Sequence, residues 1–251
     1  MTTDADDRSD LTGRVALVTG ASGGIGSAVA VRLARAGATV AVGFGHHGDA
    51  ADRLAEAITA SGGRASAVGA DLSRPEAAGE LVDSVAKRLG PIDILIANAG
   101  VGRQLALEDI DLATWEEHQA VNLRAPFLLA QRVAPGMKAR QWGRIVFISS
   151  VAAFTGGIVG PHYASSKAGL LGLTHSLAAT LAAHGVTVNA VAPGLVEETG
   201  MLPGSPDELK TRVPVGRLGQ PDEVADLVLA VVTNGYLTNQ AISLNGGSYP
   251  R

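Results

Sequence analysis

The chain has no cysteine, which excludes disulfides, a thiol nucleophile and thiolate–metal sites. Its basic residues form no cluster and its formal net charge is −4, so nothing electrostatic points to a nucleic-acid partner. No apolar run approaches the ~20 residues of a membrane-spanning helix, and no membrane partner is expected. The opening MTTDADDRSD is acidic and lacks the apolar stretch of a secretory signal. It reads as a disordered acidic tail over residues 1–10, ahead of a cytoplasmic protein. The histidines at 46, 47, 118, 162, 175 and 184 show no metal-ligand spacing beyond the adjacent pair at 46–47, so no metal site is expected.

What is present suffices for a large core: 251 residues, 46% of them hydrophobic, suit one α/β unit. Short β-branched runs at 14–19, 39–44, 65–69, 92–97, 143–148, 185–191 and 241–244 read as strands. Between them lie Ala- and Leu-rich stretches with helical character, ending at Ala36 and then covering 49–60, 75–89, 112–140, a segment from Tyr163, and 221–232. Pro75 suits a first helical turn, and the stretch 112–140 is expected to break or kink near Pro126 and Pro135. Strands apolar on both faces alternate with helices, which predicts an α/β Rossmann-type, doubly wound parallel seven-stranded sheet with helices on both faces. Residues 11–251 show no repeat, linker or composition break and are expected to form one dinucleotide-binding catalytic domain. Within it, 195–219 carries several Pro and Gly without a period and reads as a mobile lid.

Gly20-x-x-x-Gly24-x-Gly26 follows the first strand and opens a helix. Glycines there let the backbone approach a pyrophosphate, and the helix N-terminus attracts its charge. The same residues satisfy G-x-S-x-G around Ser22, the pattern of a serine esterase. That competing reading lacks an upstream strand and loop to build an oxyanion hole. Asn98-Ala99-Gly100 ends the fourth strand at the carboxyl edge, where ligands bind in open parallel sheets. Asn122 is a polar residue at a helix position that looks buried, and a satisfied core amide is its plain alternative. Tyr163 and Lys167 are four residues apart, so a helix places them on one face. An ammonium beside the phenol would favour phenolate and bring its pKa towards neutrality. A serine at the end of the fifth strand, Ser149 or Ser150, could bond the same substrate oxygen.

Together these pieces resemble the short-chain dehydrogenase/reductase family in its single-domain form. The matching elements are Thr19-Gly-Ala-Ser-Gly-Gly-Ile-Gly26, Asp71-Leu72, Asn98-Ala-Gly100, Asn122, Ser150, Tyr163-x-x-x-Lys167 and Pro193-Gly194, in the family's order and spacing. Residues 185–194 and the ending Ala-Ile-Ser-Leu-Asn-Gly-Gly are most similar to 3-oxoacyl-(acyl-carrier-protein) reductases. The resemblance implies catalytic roles for Asn122, Ser150, Tyr163 and Lys167. Tyr163 would be the proton donor in reduction, Lys167 would tune it and bind the nicotinamide ribose, Ser150 would position the carbonyl, and Asn122 would hold a relay water. It implies a cofactor contact for Gly20, Ser22, Gly23, Gly24, Ile25, Gly26, Asp71, Leu72, Asn98, Ala99, Gly100, Pro193, Gly194 and Val196. The family often places a cofactor-binding Thr five residues after the Pro; here Glu198 stands there, and the resemblance carries that contact to Thr199, one residue later. His184 occupies the place where carrier-protein reductases tend to have a basic residue, which counts against an acyl-carrier-protein partner.

The expected activity is reduction of a ketone, a 3-oxoacyl thioester or related small carbonyl, to a secondary alcohol. The alternatives are NAD-dependent alcohol oxidation and a catalytically idle nucleotide-binding module. NADP(H) is favoured over NAD(H), because the second strand ends Val42-Gly-Phe44-Gly-His46-His47 with no carboxylate before Asp49. An acid there would bind the ribose 2′-hydroxyl of NAD. Phe44, Ser22, His46 and His47 are the residues nearest the 2′-phosphate in this reading. Long apolar helices at 112–140 and 162–184, with the family resemblance, suggest a homotetramer.

Overall fold

The computed structural model describes residues 10–200, 202 and 204–249; the expected tail lies outside them except for Asp10. Seven strands form one sheet: β1 (Val15–Val18), β2 (Thr39–Phe44), β3 (Arg64–Gly69), β4 (Ile94–Ala97), β5 (Gly143–Ile148), β6 (Val186–Pro193) and β7 (Ala241–Leu244). Their order is β3-β2-β1-β4-β5-β6-β7, and every pairing is parallel.

Alternation of side chains along each strand sorts them into two cores. Ala16 and Val18 of β1 join Ile94, Ile96, Val146 and Ile148 on one face. Val15 and Leu17 join Leu95, Ala97, Ile145 and Phe147 on the other. The first core is covered by α1 (Gly24–Arg35), α2 (Gly48–Ala60) and α9 (Pro221–Thr233). The second is covered by α3 (Ala77–Leu89), α5 (Ala125–Ala139) and α7 (Pro161–Leu181). Burial on both faces is why the central strands carry no polar alternation. The winding reverses between β1 and β4, and the crevice at their carboxyl ends is the topological switch point.

The break expected near Pro126 is present and the one near Pro135 is not; two expected boundaries also shift. The stretch 112–140 consists of α4 (Leu112–Gln119), a π-turn at Ala120–Arg124, and α5. Pro126 sits just past the π-turn: it has no N–H to give the Asn122 carbonyl four residues back, and its ring crowds that carbonyl, whereas Pro135 is carried inside α5. The wide turn is centred on Asn122, which is wholly buried. Helix α3 starts at Ala77, because Asp71 and Arg74 carbonyls close two successive turns that hold Pro75 outside it. Strand β4 begins at Ile94 rather than 92.

The segment 195–219 is clipped at its base. Val196 bridges Gly219, Glu197 N–H donates to Gly219 O (2.9 Å), and Gly219 N–H donates to Leu195 O (2.9 Å). It contains α8 (Pro206–Lys210) and a small apolar cluster of Leu209, Val213 and Leu218. The remaining short helix, α6 (Ala152–Thr155), follows β5.

Candidate active site

The site grows out of the seam between β1 and β4. Thr19 Oγ1 accepts from the N–H groups of Asn98 (3.1 Å) and Ala99 (3.0 Å). The Asn98 amide donates back to the carbonyls of Thr19 (2.9 Å) and Gly20 (3.1 Å). Gly20 turns the chain at φ +64°. Helix α1 then starts so close that a Cβ on Gly26 would lie 2.3 Å from Gly20 O and 2.6 Å from Asn98 Nδ2. A Cβ on Gly24 would meet the Glu198 carbonyl oxygen at 2.4 Å. Gly23, the N-cap, has no side chain capping α1, and the first turn has no acid. Its Cβ position is open, with Gly20 O at 3.7 Å the nearest atom. An uncapped helix start behind bare glycines fits a pyrophosphate, so Gly20, Ser22, Gly23, Gly24, Ile25 and Gly26 could hold one.

Where β5 ends, the two serines divide. Ser149 is buried and its hydroxyl donates to the Lys167 carbonyl (2.9 Å). Ser150 Oγ accepts from Ala152 N–H (3.1 Å) and shares a hydrogen bond with Tyr163. Only Ser150 keeps its hydroxyl at the tyrosine. Lys167, 4% exposed, donates from Nζ to Ile148 O (2.9 Å) and lies 5.7 Å from the Tyr163 ring centroid. Burial raises the Tyr163 pKa above the ordinary value, opposed by the Ser150 bond. Burial also lowers Lys167 to about 8. The expected pull of Lys167 on the phenol is therefore not the dominant effect in the protein alone: desolvation works on both groups, and the ammonium is turned to the end of β5.

Asn122 does not line the cleft; it stands behind Gly100. Its Oδ1 accepts from Val101 N–H (2.8 Å), while Nδ2 donates to Val101 O (2.9 Å) and Ser166 Oγ (3.0 Å). A Cβ on Gly100 would lie 3.2 Å from Asn122 Oδ1 and 3.3 Å from Lys167 Nζ.

One cleft of about 840 Å³ unites these elements. Its walls include residues 20 and 22–26, His47, Asn98–Gly100, Ser150, Tyr163, Lys167, Pro193, Gly194, Val196 and Thr199. Thr199 Oγ1 donates to Val196 O (3.3 Å), and Glu198 adopts a positive φ of 57°. Phe44, His46, Asp71 and Leu72 stand outside those walls. The Phe44 ring lies over Gly48 and Gly69, where added Cβ atoms would meet it at 3.2 and 2.9 Å. Leu72 is part of the second core. Asp71 Oδ1 accepts from Ser73 N–H (3.0 Å) and Oγ (2.7 Å), which holds its carboxyl below the usual range. His46 is exposed. Ser22 has no hydrogen bond to a histidine among the described residues, so the esterase reading has no base. The cleft also contains Arg103, Glu117, His118, Val151 and Ile158, which no motif announced.

A glycine-floored crevice at the switch point of a parallel sheet defines a dinucleotide-binding fold of Rossmann type. The family model for short chain dehydrogenase matches residues 14–210, and the chain belongs to that family of NAD(P)-dependent oxidoreductases. It is 41% identical over 247 residues to a 3-oxoacyl-[acyl-carrier-protein] reductase of Aquifex aeolicus, covering 95% of this chain and 98% of the relative. It is 38% identical to an acetoacetyl-CoA reductase of Shinella zoogloeoides, with 94% and 98% covered. Among solved structures, a candidate NAD(P)-dependent gluconate 5-dehydrogenase from Beutenbergia cavernae, with NADP bound at low occupancy, superposes with a TM-score of 0.89. It is 36% identical, with 96% and 98% covered.

Burial of Lys167 makes a stability prediction. The group binds its proton less tightly folded (about 8) than its ordinary 10.5. Across that window the unfolded chain holds more protons, and raising the pH favours the fold. Urea denaturation should show wild type gaining on Lys167→Met by up to about 3 kcal/mol between those pH values. A gap that stays constant with pH would contradict the assignment.

Proposed function

We propose that the chain reduces a ketone to a secondary alcohol, with NADP(H) as the cofactor and Tyr163 as the proton donor. The observation that carries this reading is the convergence of Ser150, Tyr163 and Lys167 on one wall of a cleft floored by the glycine loop. The nicotinamide supplies the hydride. A carbonyl oxygen entering beside the Ser150–Tyr163 hydrogen bond would accept from both hydroxyls, which orients it and polarises it. Burial keeps Tyr163 protonated at neutral pH, which suits an acid in reduction better than a base in alcohol oxidation. The two relatives are named for 3-oxoacyl thioesters on a carrier protein or on CoA, which supports a 3-oxoacyl carbonyl as the substrate.

Replenishing the tyrosyl proton is assigned to a water between Lys167 and Asn122. Gly100 backs onto both polar atoms, where an added Cβ would lie 3.2 Å from Asn122 Oδ1 and 3.3 Å from Lys167 Nζ, and this convergence supports that role. Tyr163→Phe should lower turnover at least ~10²-fold while cofactor affinity survives. Gly100→Ala, whose added methyl would press on Asn122 Oδ1 and Lys167 Nζ without backbone strain, should lower kcat. Near-wild-type turnover in Tyr163→Phe would overturn the acid assignment, and in Gly100→Ala the relay.

The choice of NADP(H) rests on the exit of β2, where no carboxylate precedes Asp49 to repel a 2′-phosphate, and on the NADP held by the Beutenbergia chain. His47, on the cleft wall, is assigned to the phosphate. Gly45 has open space, with Ala70 O at 3.9 Å the nearest atom, and is the place to add an acid. At neutral pH, kcat/KM should favour NADPH over NADH in wild type, and Gly45→Asp should shift the preference towards NADH. A wild-type preference for NADH refutes this choice.

Assembly is proposed through α5 and α7. An open apolar groove between them is lined by Leu123, Phe127, Gly169, Gly172 and Leu173, with Phe127 37% exposed. A second copy laid on this face, with a further interface, would give a tetramer. Light scattering should report a tetramer at micromolar concentration, and a monomer would end the proposal.

A further inference from the structure

Against the start of α7, residues 101–105 form no helix or strand and are fixed at every second residue. Val101 is held through both its N–H and its carbonyl by the Asn122 amide (2.8 and 2.9 Å). The Arg103 carbonyl is 3.0 Å from His162 Nε2, which must carry the proton because a carbonyl can only accept. Leu105 N–H donates to Val159 O (3.2 Å). The side chain between these anchors is fixed too: Arg103 Nη2 donates to Thr114 Oγ1 (2.9 Å). Thr114 is buried in α4, its N–H is capped by Asp111 Oδ1 (2.8 Å), and its carbonyl accepts from His118 Nδ1 (2.8 Å).

Arg103 lines the catalytic cleft. It forms no ion pair with a carboxylate among the described residues. The other charged or titratable groups around it are Asp111, committed to its cap, Glu117 on the cleft wall, and the His118–His162 ring pair. The rings meet edge-on at 4.2 Å between centroids, and burial lowers the His118 pKa, keeping it neutral. His118 Nε2 and His162 Nδ1 are buried without a hydrogen-bond partner among the described residues. Arg103 and Lys167 are the only lysine or arginine side chains on the cleft wall among the described residues, and Arg103 is held in place by the buried Thr114 and His162. An arginine has five N–H donors, and most of these remain uncommitted here.

We infer that Arg103 is a specificity-determining residue that anchors an anionic group, a carboxylate or a phosphate, carried by the ketone substrate. A guanidinium matches either group through paired N–H donors. Because both ends of this side chain are already restrained, little rotamer freedom is lost when the anion arrives. The inference rests on the ketone-reduction reading for its substrate, while the anion site itself can be read by binding alone.

The test uses two matched pairs with NADPH: acetoacetate against methyl acetoacetate, and acetoacetyl-CoA against acetoacetyl-N-acetylcysteamine. Arg103→Gln should lower kcat/KM at least ~10-fold for the acid, the CoA thioester or both, mainly through KM. It should change the neutral partner of each affected pair by less than about 2-fold, and Arg103→Lys should recover part of the loss. Loss confined to acetoacetate identifies a carboxylate, and loss confined to the CoA ester identifies a phosphate. Equal loss for charged and neutral members, or no loss in either pair, overturns the inference. If wild type reduces none of the four, the ketone reading fails and calorimetry decides the anion site. Titrations of acetoacetate and of inorganic phosphate into wild type and Arg103→Gln, with NADP present, then give the answer. Anion binding that the variant loses upholds the site, and binding absent from wild type or unchanged in the variant removes it.

Discussion

The carboxyl edge of this sheet depends on the reciprocal hydrogen bonding between Thr19 and Asn98. A parallel sheet whose winding reverses leaves a crevice there, with backbone groups that no strand can satisfy. The Thr19 hydroxyl takes the N–H groups of Asn98 and Ala99, and the Asn98 amide takes the carbonyls of Thr19 and Gly20. With these groups matched, the turn at Gly20 can bring α1 within a glycine's reach of Asn98. The cleft floor, the exits of β1 and β4, and the position of Gly100 against Asn122 and Lys167 all follow from that fixed seam.

Desolvation governs the chemistry on the catalytic wall. It disfavours both phenolate at Tyr163 and ammonium at Lys167, so the tyrosine keeps its proton and the lysine holds its own weakly. Lys167 compensates by bonding Ile148 O, and Ser149 fixes the lysine's backbone. Two adjacent serines thus serve different purposes: one orients the helix that carries the pair, and the other keeps its hydroxyl at the tyrosine.

The strands were legible because apolar residues on both faces leave a continuous β-branched signature, and β2, β5 and β7 fall at the expected residues. The glycine loop and the Ser150/Tyr163/Lys167 set were legible because spacing and position coincide. The break near Pro126 was legible from the proline, but its form, a π-turn around a buried Asn122, was not, because the partner that holds this amide, Val101, is 21 residues away. Phe44 was expected near the cofactor, yet its ring turns onto Gly48 and Gly69, where missing side chains leave room for it. Arg103 left no motif, because what distinguishes it is tertiary: its carbonyl and its guanidinium are held by α7 and α4.

The central claim is that one carbonyl oxygen is held by Ser150 and Tyr163 beside the cofactor. A crystal structure of the protein with NADP+ and an unreactive 3-oxoacyl analogue tests it most directly. The claim predicts that the analogue's oxygen lies about 2.6–3.2 Å from both Ser150 Oγ and Tyr163 Oη, with the cofactor's pyrophosphate on the N-terminus of α1. An oxygen bound away from Tyr163, or a cofactor that leaves the glycine loop bare, would contradict it.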